Sequence, residues 1–91
     1  MVKSTQVKTV MAIMISNRKS VVERVQKLLT AWGCTINTRL GLHDGVLDEC
    51  SDFGLLILEL VGEETQHEEL CRKLNLISGV EAKYMNLSLA E

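Results

Sequence analysis

The sequence of 91 residues predicts an α+β domain, in which a four-stranded antiparallel sheet carries two helices on one of its faces. Two segments, residues 8–16 and 53–61, are apolar at alternate positions on both sides, which is typical of strands at the centre of a sheet. Each is followed by an amphipathic helical pattern, a glycine and a further strand pattern. The chain therefore repeats one structural plan twice.

The first half begins with the strand at residues 8–16. Residues 20–32 then place apolar side chains at helical spacing. Ser20 and Glu23 have the spacing of a capping box, which predicts that the helix begins at Ser20. Gly33 fits the left-handed position that ends many helices. Residues 35–42 follow and alternate Ile36, Leu40 and Leu42 against polar positions, which predicts an edge strand with one wet face.

A polar connection at residues 43–52 leads to the second half, which begins with the strand at residues 53–61. Thr65 and Glu68 form a second capping-box pattern, which opens a helix that runs to about residue 76. Gly79 closes that helix, and residues 80–89 form the last strand. The apolar positions of this strand change phase, which predicts a bulge or bend: Val80, Ala82 and Tyr84 are followed by Met85, Leu87 and Leu89.

Two interleaved right-handed βαβ units of this kind give the order β-α-β-β-α-β. This is the ferredoxin-like sandwich, and it places the first and third strands at the centre of the sheet. Residues 1–7 are polar and without periodicity, so they are predicted to be a loose tail. Residues 8–91 are predicted to form the single domain.

This fold leaves one face of the sheet without helices. The side chains predicted to point from it are Val10, Ala12, Met14, Leu55 and Ile57. Large apolar patches on small domains usually mark interfaces, so the sequence predicts a homo-oligomer, either a dimer or a tetramer. The alternative is that the tail or the connection at residues 43–52 folds over this face.

Composition narrows the classes of function. The net charge of −2 and the pI near 5.7 disfavour direct binding of nucleic acid, which depends on Lys and Arg. Three widely spaced cysteines without a Cys-x-x-Cys pair suit reduced thiols, and the N-terminus lacks a secretory pattern, so a cytoplasmic location is predicted. No apolar run is long enough to predict a membrane span. No catalytic motif is recognisable, so the chain is predicted not to be an enzyme, and a small enzyme is the weaker alternative.

Two groups of residues are candidates for metal binding, although no cofactor is predicted. His67 and Cys71 lie four residues apart on the second helix, where they could share a soft metal. The alternative is that His67 lies at the edge of the core and Cys71 is a semi-buried filler. The second group lies in the connection and mixes hard and soft ligands at irregular spacing: His43, Asp44, Asp48, Glu49 and Cys50.

Three residues are candidates for ligand binding. Asn17 and Arg18 precede the first helix, whose free amides could receive an anion. The alternative is a solvated turn. Arg39, predicted on the wet face of the edge strand, is a candidate for contact with a ligand or partner, and its alternative is an ordinary solubilising edge charge.

Residues 70–80 have the sequence Leu-Cys-Arg-Lys-Leu-Asn-Leu-Ile-Ser-Gly-Val and are followed by Glu-Ala-Lys. This segment resembles the closing helix, turn and strand of a family of regulators of the iron-only hydrogenase system. Residues 39–41, Arg-Leu-Gly, resemble the family's Arg-x-Gly element, and the similarity extends from about Lys8. The Ile-x-Gly-Val turn is also common in ACT domains and in the C-terminal domain of the nickel-responsive repressor.

The resemblance implies a cytoplasmic, oligomeric, non-enzymatic regulatory or sensor module, with a protein partner in hydrogenase maturation or regulation. A structural or protein-interaction subunit that binds no small molecule is the alternative. Two departures matter. The turn at residues 16–20 lacks the glycine or proline of amino-acid-binding ACT domains, and no segment before Lys8 is long enough to form the DNA-binding part of the nickel repressor.

Overall fold

The computed structural model describes residues 5–42 and 53–90. Three elements form the first half: strand β1 (Thr5–Ser16), helix α1 (Lys19–Ala31) and, after a short 3-10 turn (Gly33–Thr35), strand β2 (Ile36–Leu42). The second half contains strand β3 (Phe53–Leu60), helix α2 (Glu64–Asn75) and strand β4 (Val80–Ala90). β1 thus begins inside the predicted tail.

The four strands form one antiparallel sheet in the order β2-β3-β1-β4. The central positions predicted for the first and third strands are confirmed, and so is the ferredoxin-like β-α-β-β-α-β fold. β1 is longer than β3, whose last pair joins Leu60 to Thr9, whereas β4 follows β1 to the pair of Ala90 with Thr5. The sheet therefore continues beyond β3 as a ribbon of two strands.

The core lies between the two helices and one face of the sheet. Alternate residues of β1 and β3 point into it, and Met11, Ile13 and Leu58 have no exposed surface. The helices contribute apolar side chains at helical spacing, among them Val21, Val25, Leu29, Leu70 and Leu74. Because strand side chains alternate, the intervening residues point to the opposite face, which we call the open face.

Both predicted capping boxes are wrong. α1 begins at Lys19 with Arg18 at the N-cap, and no side chain caps it, because Ser20 already lies within its first turn. α2 begins at Glu64 with Glu63 at the N-cap, where the backbone N–H of Glu63 donates to Oε1 of Gln66 at 3.1 Å. Each N-cap lies two residues before the Ser or Thr that the sequence indicated.

The two closing glycines also differ. Gly79 has φ of +90°, so the prediction of a left-handed turn after α2 is confirmed. The same prediction for Gly33 is wrong, because Gly33 has no positive φ and begins the 3-10 turn. α1 ends at Ala31 with Trp32 at its C-cap.

The predicted bulge in the last strand is wrong, because β4 pairs with β1 without interruption. The irregularity lies instead in β2, between Ile36 and Thr38. Ile36 is therefore paired with Leu60 on the core side, whereas Leu40 is paired with Ile57 on the open face and is 53% exposed. The bulge also places Arg39 on the side of the sheet that carries the helices, so the prediction of Arg39 on the wet face is wrong.

Candidate ligand cleft and open sheet face

A cleft of about 190 Å³ lies where β1 ends and α1 begins. Its walls are mostly apolar, and Ser16, Asn17 and Gln26 are the polar residues among those that line it. Gly41 and Gly54 contribute bare backbone from neighbouring strands. An apolar pocket with a few polar groups is the usual form of a small-molecule site.

The start of α1 gives this end of the cleft a positive potential. The first amides of a helix lack partners within it, and its dipole places positive charge at that end. No acidic residue lies in the first turn, and Arg18 and Lys19 add two cations. Arg18 donates its own backbone N–H to Oγ of Ser16 at 3.4 Å, which holds the turn beside the cleft.

The structure brings the three predicted ligand-binding residues to this region. Asn17 lines the cleft and Arg18 is its neighbour at the start of α1. Arg39 donates from Nη2 to Oε1 of Gln26 at 2.7 Å, so it is tied to a residue of the cleft wall. Ligand binding by these residues stays a prediction. Gln26 was missed because its position on α1 looked like part of an ordinary solvated helix face.

His67 and Cys71 occupy separate bonding arrangements on α2. His67 is 3% exposed, and its Nε2 lies 2.9 Å from the carbonyl oxygen of Val61, so a proton on Nε2 completes that bond. Its Nδ1 has no partner among the described residues, and its ring meets that of Tyr84 edge to face. Cys71 donates from Sγ to the carbonyl of Ala82 at 3.3 Å.

Burial raises the pKa of the Cys71 thiol, which disfavours the thiolate that a soft metal requires. Within residues 5–42 and 53–90, no group of three or more His, Cys, Asp and Glu side chains is placed to hold a metal. The His67 and Cys71 metal site remains a prediction, and the observed bonds give it no support. The second candidate group lies outside the described residues: His43, Asp44, Asp48, Glu49 and Cys50.

Asn75, at the end of α2, forms a contact that the sequence did not indicate. Its Nδ2 donates to the carbonyl of Ala82, and its Oδ1 accepts from the N–H of Ala82, both at 2.9 Å. The carboxamide thus pairs with the outer edge of β4 as a neighbouring strand would. Because Ala82 lies seven residues away, only the tertiary fold brings the two together.

The residues predicted to form an interface all lie on the open face: Val10, Ala12, Met14, Leu55 and Ile57. Ala12 and Met14 are exposed, whereas Val10, Leu55 and Ile57 are partly covered by their neighbours. The apolar surface continues beyond this set to Leu40, Phe53, Met85, Leu87 and Leu89. The sequence reasoning missed the β4 residues because their change of phase was taken as a bulge.

Two polar groups lie on this face: the ion pair of Lys83 with Glu81 on β4, opposite Ala12 and Met14, and a cluster around Glu59. Glu59 accepts from Lys8 Nζ at 3.0 Å, from Asn37 Nδ2 at 3.0 Å and from the Thr38 hydroxyl at 3.4 Å. The bond from Lys8, followed by that from Asn37, lowers the pKa of the Glu59 carboxyl. The cluster around Glu59 joins β1, β2 and β3. The apolar residues of the open face continue along the strands beside it.

No helix in the described part of the chain is long and apolar enough to cross a membrane. No protein-family model matches the chain, and no curated protein matches it either. The family suggested by residues 70–83 is therefore not identified by comparison.

Solved structures show a clear likeness in fold. The uncharacterized protein TM1266 from Thermotoga maritima has a TM-score of 0.79 and 23% identity, over 92% of this chain and 99% of that one. The apo form of CPII from Thiomonas intermedia K12, a nitrogen regulatory PII-like protein, has a TM-score of 0.58 and 12% identity, over 99% of both chains. This chain therefore shares its fold with both proteins, and its strand order makes that fold ferredoxin-like.

Proposed function

We propose that this protein is a non-enzymatic regulatory or sensor module that works as a homo-oligomer in the cytoplasm. The observation that carries the proposal is the continuous apolar surface of the open face, including Met14 at 47% exposure and Leu40 at 53%. Such a patch on a small domain usually marks an interface. The regulatory role is supported by the likeness in fold to the PII-like protein.

The energetics favour association. Full burial of four or five apolar side chains would contribute roughly 6 to 15 kcal/mol before the costs of association. The gain from the five predicted residues is smaller, because Val10, Leu55 and Ile57 are already partly covered. The additional exposed residues, such as Leu40 and Met85, enlarge the surface that a second copy can cover.

The test of the open face is sedimentation at low micromolar concentration. The wild-type protein is expected to sediment as a dimer or tetramer, and Met14→Lys is expected to reduce its size, because it places a charge inside the interface. Leu76→Lys is the matched control, since Leu76 is 69% exposed but lies at the end of α2. A wild-type monomer, or equal behaviour of the two variants, would contradict self-association through this face.

We further propose that the cleft holds the effector, with Asn17, Arg18 and Arg39 at its polar end. The positive start of α1 and the apolar walls suit a small molecule that carries both an anionic group and an apolar part. A ligand site of this kind distinguishes a sensor from a structural or protein-interaction subunit, which needs no such site.

A thermal-shift screen of amino acids, nucleotides and divalent metals separates these alternatives. A ligand at 100 times its dissociation constant adds about 2.7 kcal/mol to the free energy of unfolding. Gln26→Ala and Arg39→Ala should remove the shift, whereas Arg24→Ala should keep it, because Arg24 neither lines this cleft nor, unlike Arg39, bonds to Gln26. A screen without any shift would favour the structural subunit.

The place of this module in the iron-only hydrogenase system is supported by the resemblance at residues 70–83 alone. It predicts that the tagged protein captures hydrogenase maturation or regulatory proteins from its host. Identification of the captured proteins by mass spectrometry tests this, with Met14→Lys as a comparison that shows whether capture requires the oligomer. Capture of unrelated proteins only would contradict the assignment.

A further inference from the structure

The two edge strands of the sheet differ in how they are protected. β2 has seven residues, a bulge and the charged Arg39, which are features that discourage further pairing. β4 has eleven residues and pairs with β1 without irregularity. A long regular edge strand is a template on which another strand can pair.

Asn75 closes this edge at one position only. Its carboxamide bonds to both the N–H and the C=O of Ala82, so these two groups point away from β1. Outward groups alternate along an antiparallel strand, so those of Tyr84, Asn86, Ser88 and Ala90 point outward as well. Among the described residues, none bonds to the outward backbone groups of Tyr84, Asn86 or Ser88. The edge is therefore open over residues 84–90, which we call the edge segment.

Residues 87–90 of the edge segment also lie where the sheet is narrowest. Beyond the pair of Leu60 with Thr9, β1 pairs only with β4 in the described part of the chain. Val7, Leu87 and Leu89 in this ribbon are 54%, 55% and 67% exposed. A ribbon of two strands is marginally stable in water, and further strands are needed to stabilise it.

We propose that the edge segment pairs antiparallel with the edge segment of a second copy, about a two-fold axis through Leu87. Asn86 then lies opposite Ser88 of the second copy and Tyr84 opposite Ala90, so every open outward group is paired. A register shifted by two residues in one direction would require Ala82, which Asn75 occupies, and in the other direction it would pair only residues 86–90 of the described strand. The edge is thus self-complementary, which makes a second copy its occupant.

The side chains agree with this register. Leu87 meets Leu87, and Met85 meets Leu89, so six apolar residues form one strip on the open face. Lys83 lies beyond the overlap and is 3.8 Å from Glu81 of its own strand, so no charge is placed opposite a leucine. The result is an eight-stranded sheet with all four helices on one side.

This contact is separate from the packing of open faces proposed above, and it does not require the ligand cleft. It leaves the central residues of the open face available, such as Ala12 and Leu55. Edge pairing combined with face packing gives a tetramer, whereas either contact alone gives a dimer. The edge contact therefore adds a second assembly surface to the module.

Disulfide cross-linking tests the register. In a background with Cys34→Ser, Cys50→Ser and Cys71→Ala, Leu87→Cys places two thiols opposite each other at a non-hydrogen-bonded pair, with Cα atoms about 4.5 Å apart. This is within the range for a disulfide. Mild oxidation should convert most of this variant to a covalent dimer on a non-reducing gel.

Met85→Cys is the matched control, because the proposed axis separates the two Met85 Cα atoms by roughly 13 Å, beyond the limit of about 7 Å. The double variant Met85→Cys with Leu89→Cys should cross-link again. Absence of the Leu87→Cys dimer, or equal cross-linking of Met85→Cys alone, would overturn the proposal. Met85 and Leu89, like Leu87, are more than half exposed, so the substitutions leave the core intact.

A backbone variant separates this proposal from the preceding one. Ser88→Pro removes an outward N–H that takes no part in pairing with β1, so it should halve the mass of the assembly, whereas Ser88→Ala should not. If Ser88→Pro keeps the wild-type mass while Met14→Lys reduces it, edge pairing is overturned and face packing stands. If Ser88→Pro reduces the mass and Met14→Lys does not, edge pairing stands without face packing.

Discussion

The two helices cover the same face of the sheet, but only α2 has ends that suit its dipole. α2 has Glu64 in its first turn, Arg72 and Lys73 in its last, and an N-cap N–H that donates to Oε1 of Gln66. α1 has no acidic residue in its first turn, no basic residue in its last and no capping side chain. The difference shows that the second half is stabilised by local contacts, whereas the first leaves a positive helix end beside a cleft.

The largest expected effect concerns the two glycines that follow the helices. Gly79→Ala should lower the free energy of unfolding by about 1 to 3 kcal/mol, because a positive φ strains any other residue. The new Cβ would also lie 3.0 Å from Cβ of Ser16. Gly33→Ala, with no atom within 4 Å and no positive φ, should leave stability unchanged or raise it slightly. Urea denaturation measures both, and equal losses would contradict the contrast.

The contact between Asn75 and Ala82 should come next in size. Asn75→Ala leaves the N–H of Ala82 without a partner and its C=O with the Cys71 thiol alone, and it should cost about 1 to 3 kcal/mol. Asn37→Ala is the control, because Asn37 donates a single bond on the exposed surface. Thermal denaturation of both variants measures the loss of stability. A loss for Asn75→Ala no greater than that for Asn37→Ala would show that the edge does not depend on this side chain.

A substitution at the uncapped start of α1 should stabilise the protein. Arg18→Asp supplies the missing cap and a negative charge, and it should raise the free energy of unfolding by about 1 kcal/mol. Arg18→Ala removes the same cation without supplying a cap, so the difference between the two variants measures the cap and the negative charge together. The same Arg18→Asp change should weaken binding of any anion identified in the screen. No gain over Arg18→Ala in urea denaturation would refute the difference between the helix ends.

The smallest expected effect concerns the pH dependence of stability. It arises from the cluster around Glu59, which joins the two halves of the chain. The bond from Lys8, then that from Asn37, lowers the pKa of Glu59 below its usual value of 4.5, so the ionised form is favoured in the folded protein. Its stabilising contribution is complete above the unfolded pKa and is lost as pH falls through the lowered one. Lys8→Met should therefore flatten the decline of the urea midpoint below pH 4.5, relative to the wild type. Identical slopes would show that the cluster does not contribute.

Local patterns predicted the architecture but not its irregularities. Apolar residues on both sides of residues 8–16 and 53–61 identified the central strands, since strands at the centre of a sheet are the ones usually covered on both faces. Each helix begins before the predicted residue. Ser20 and Thr65 match the capping-box pattern, but Arg18 and Glu63 hold the N-cap positions. The bulge was predicted in β4 because the apolar positions of that strand change phase. A regular strand that extends past the helices produces the same change of phase, and this is what the structure has.

The sequence by itself determined the order of the elements, the central pair of strands and the apolar open face, because these depend on periodicities of two and 3.6 residues within single segments. Only the tertiary structure decided that Arg39 reaches Gln26, that Asn75 closes the edge at Ala82 and that residues 84–90 remain open. Those features depend on register and on distances between side chains of different elements. Residues far apart in the chain set both, so no local pattern contains them.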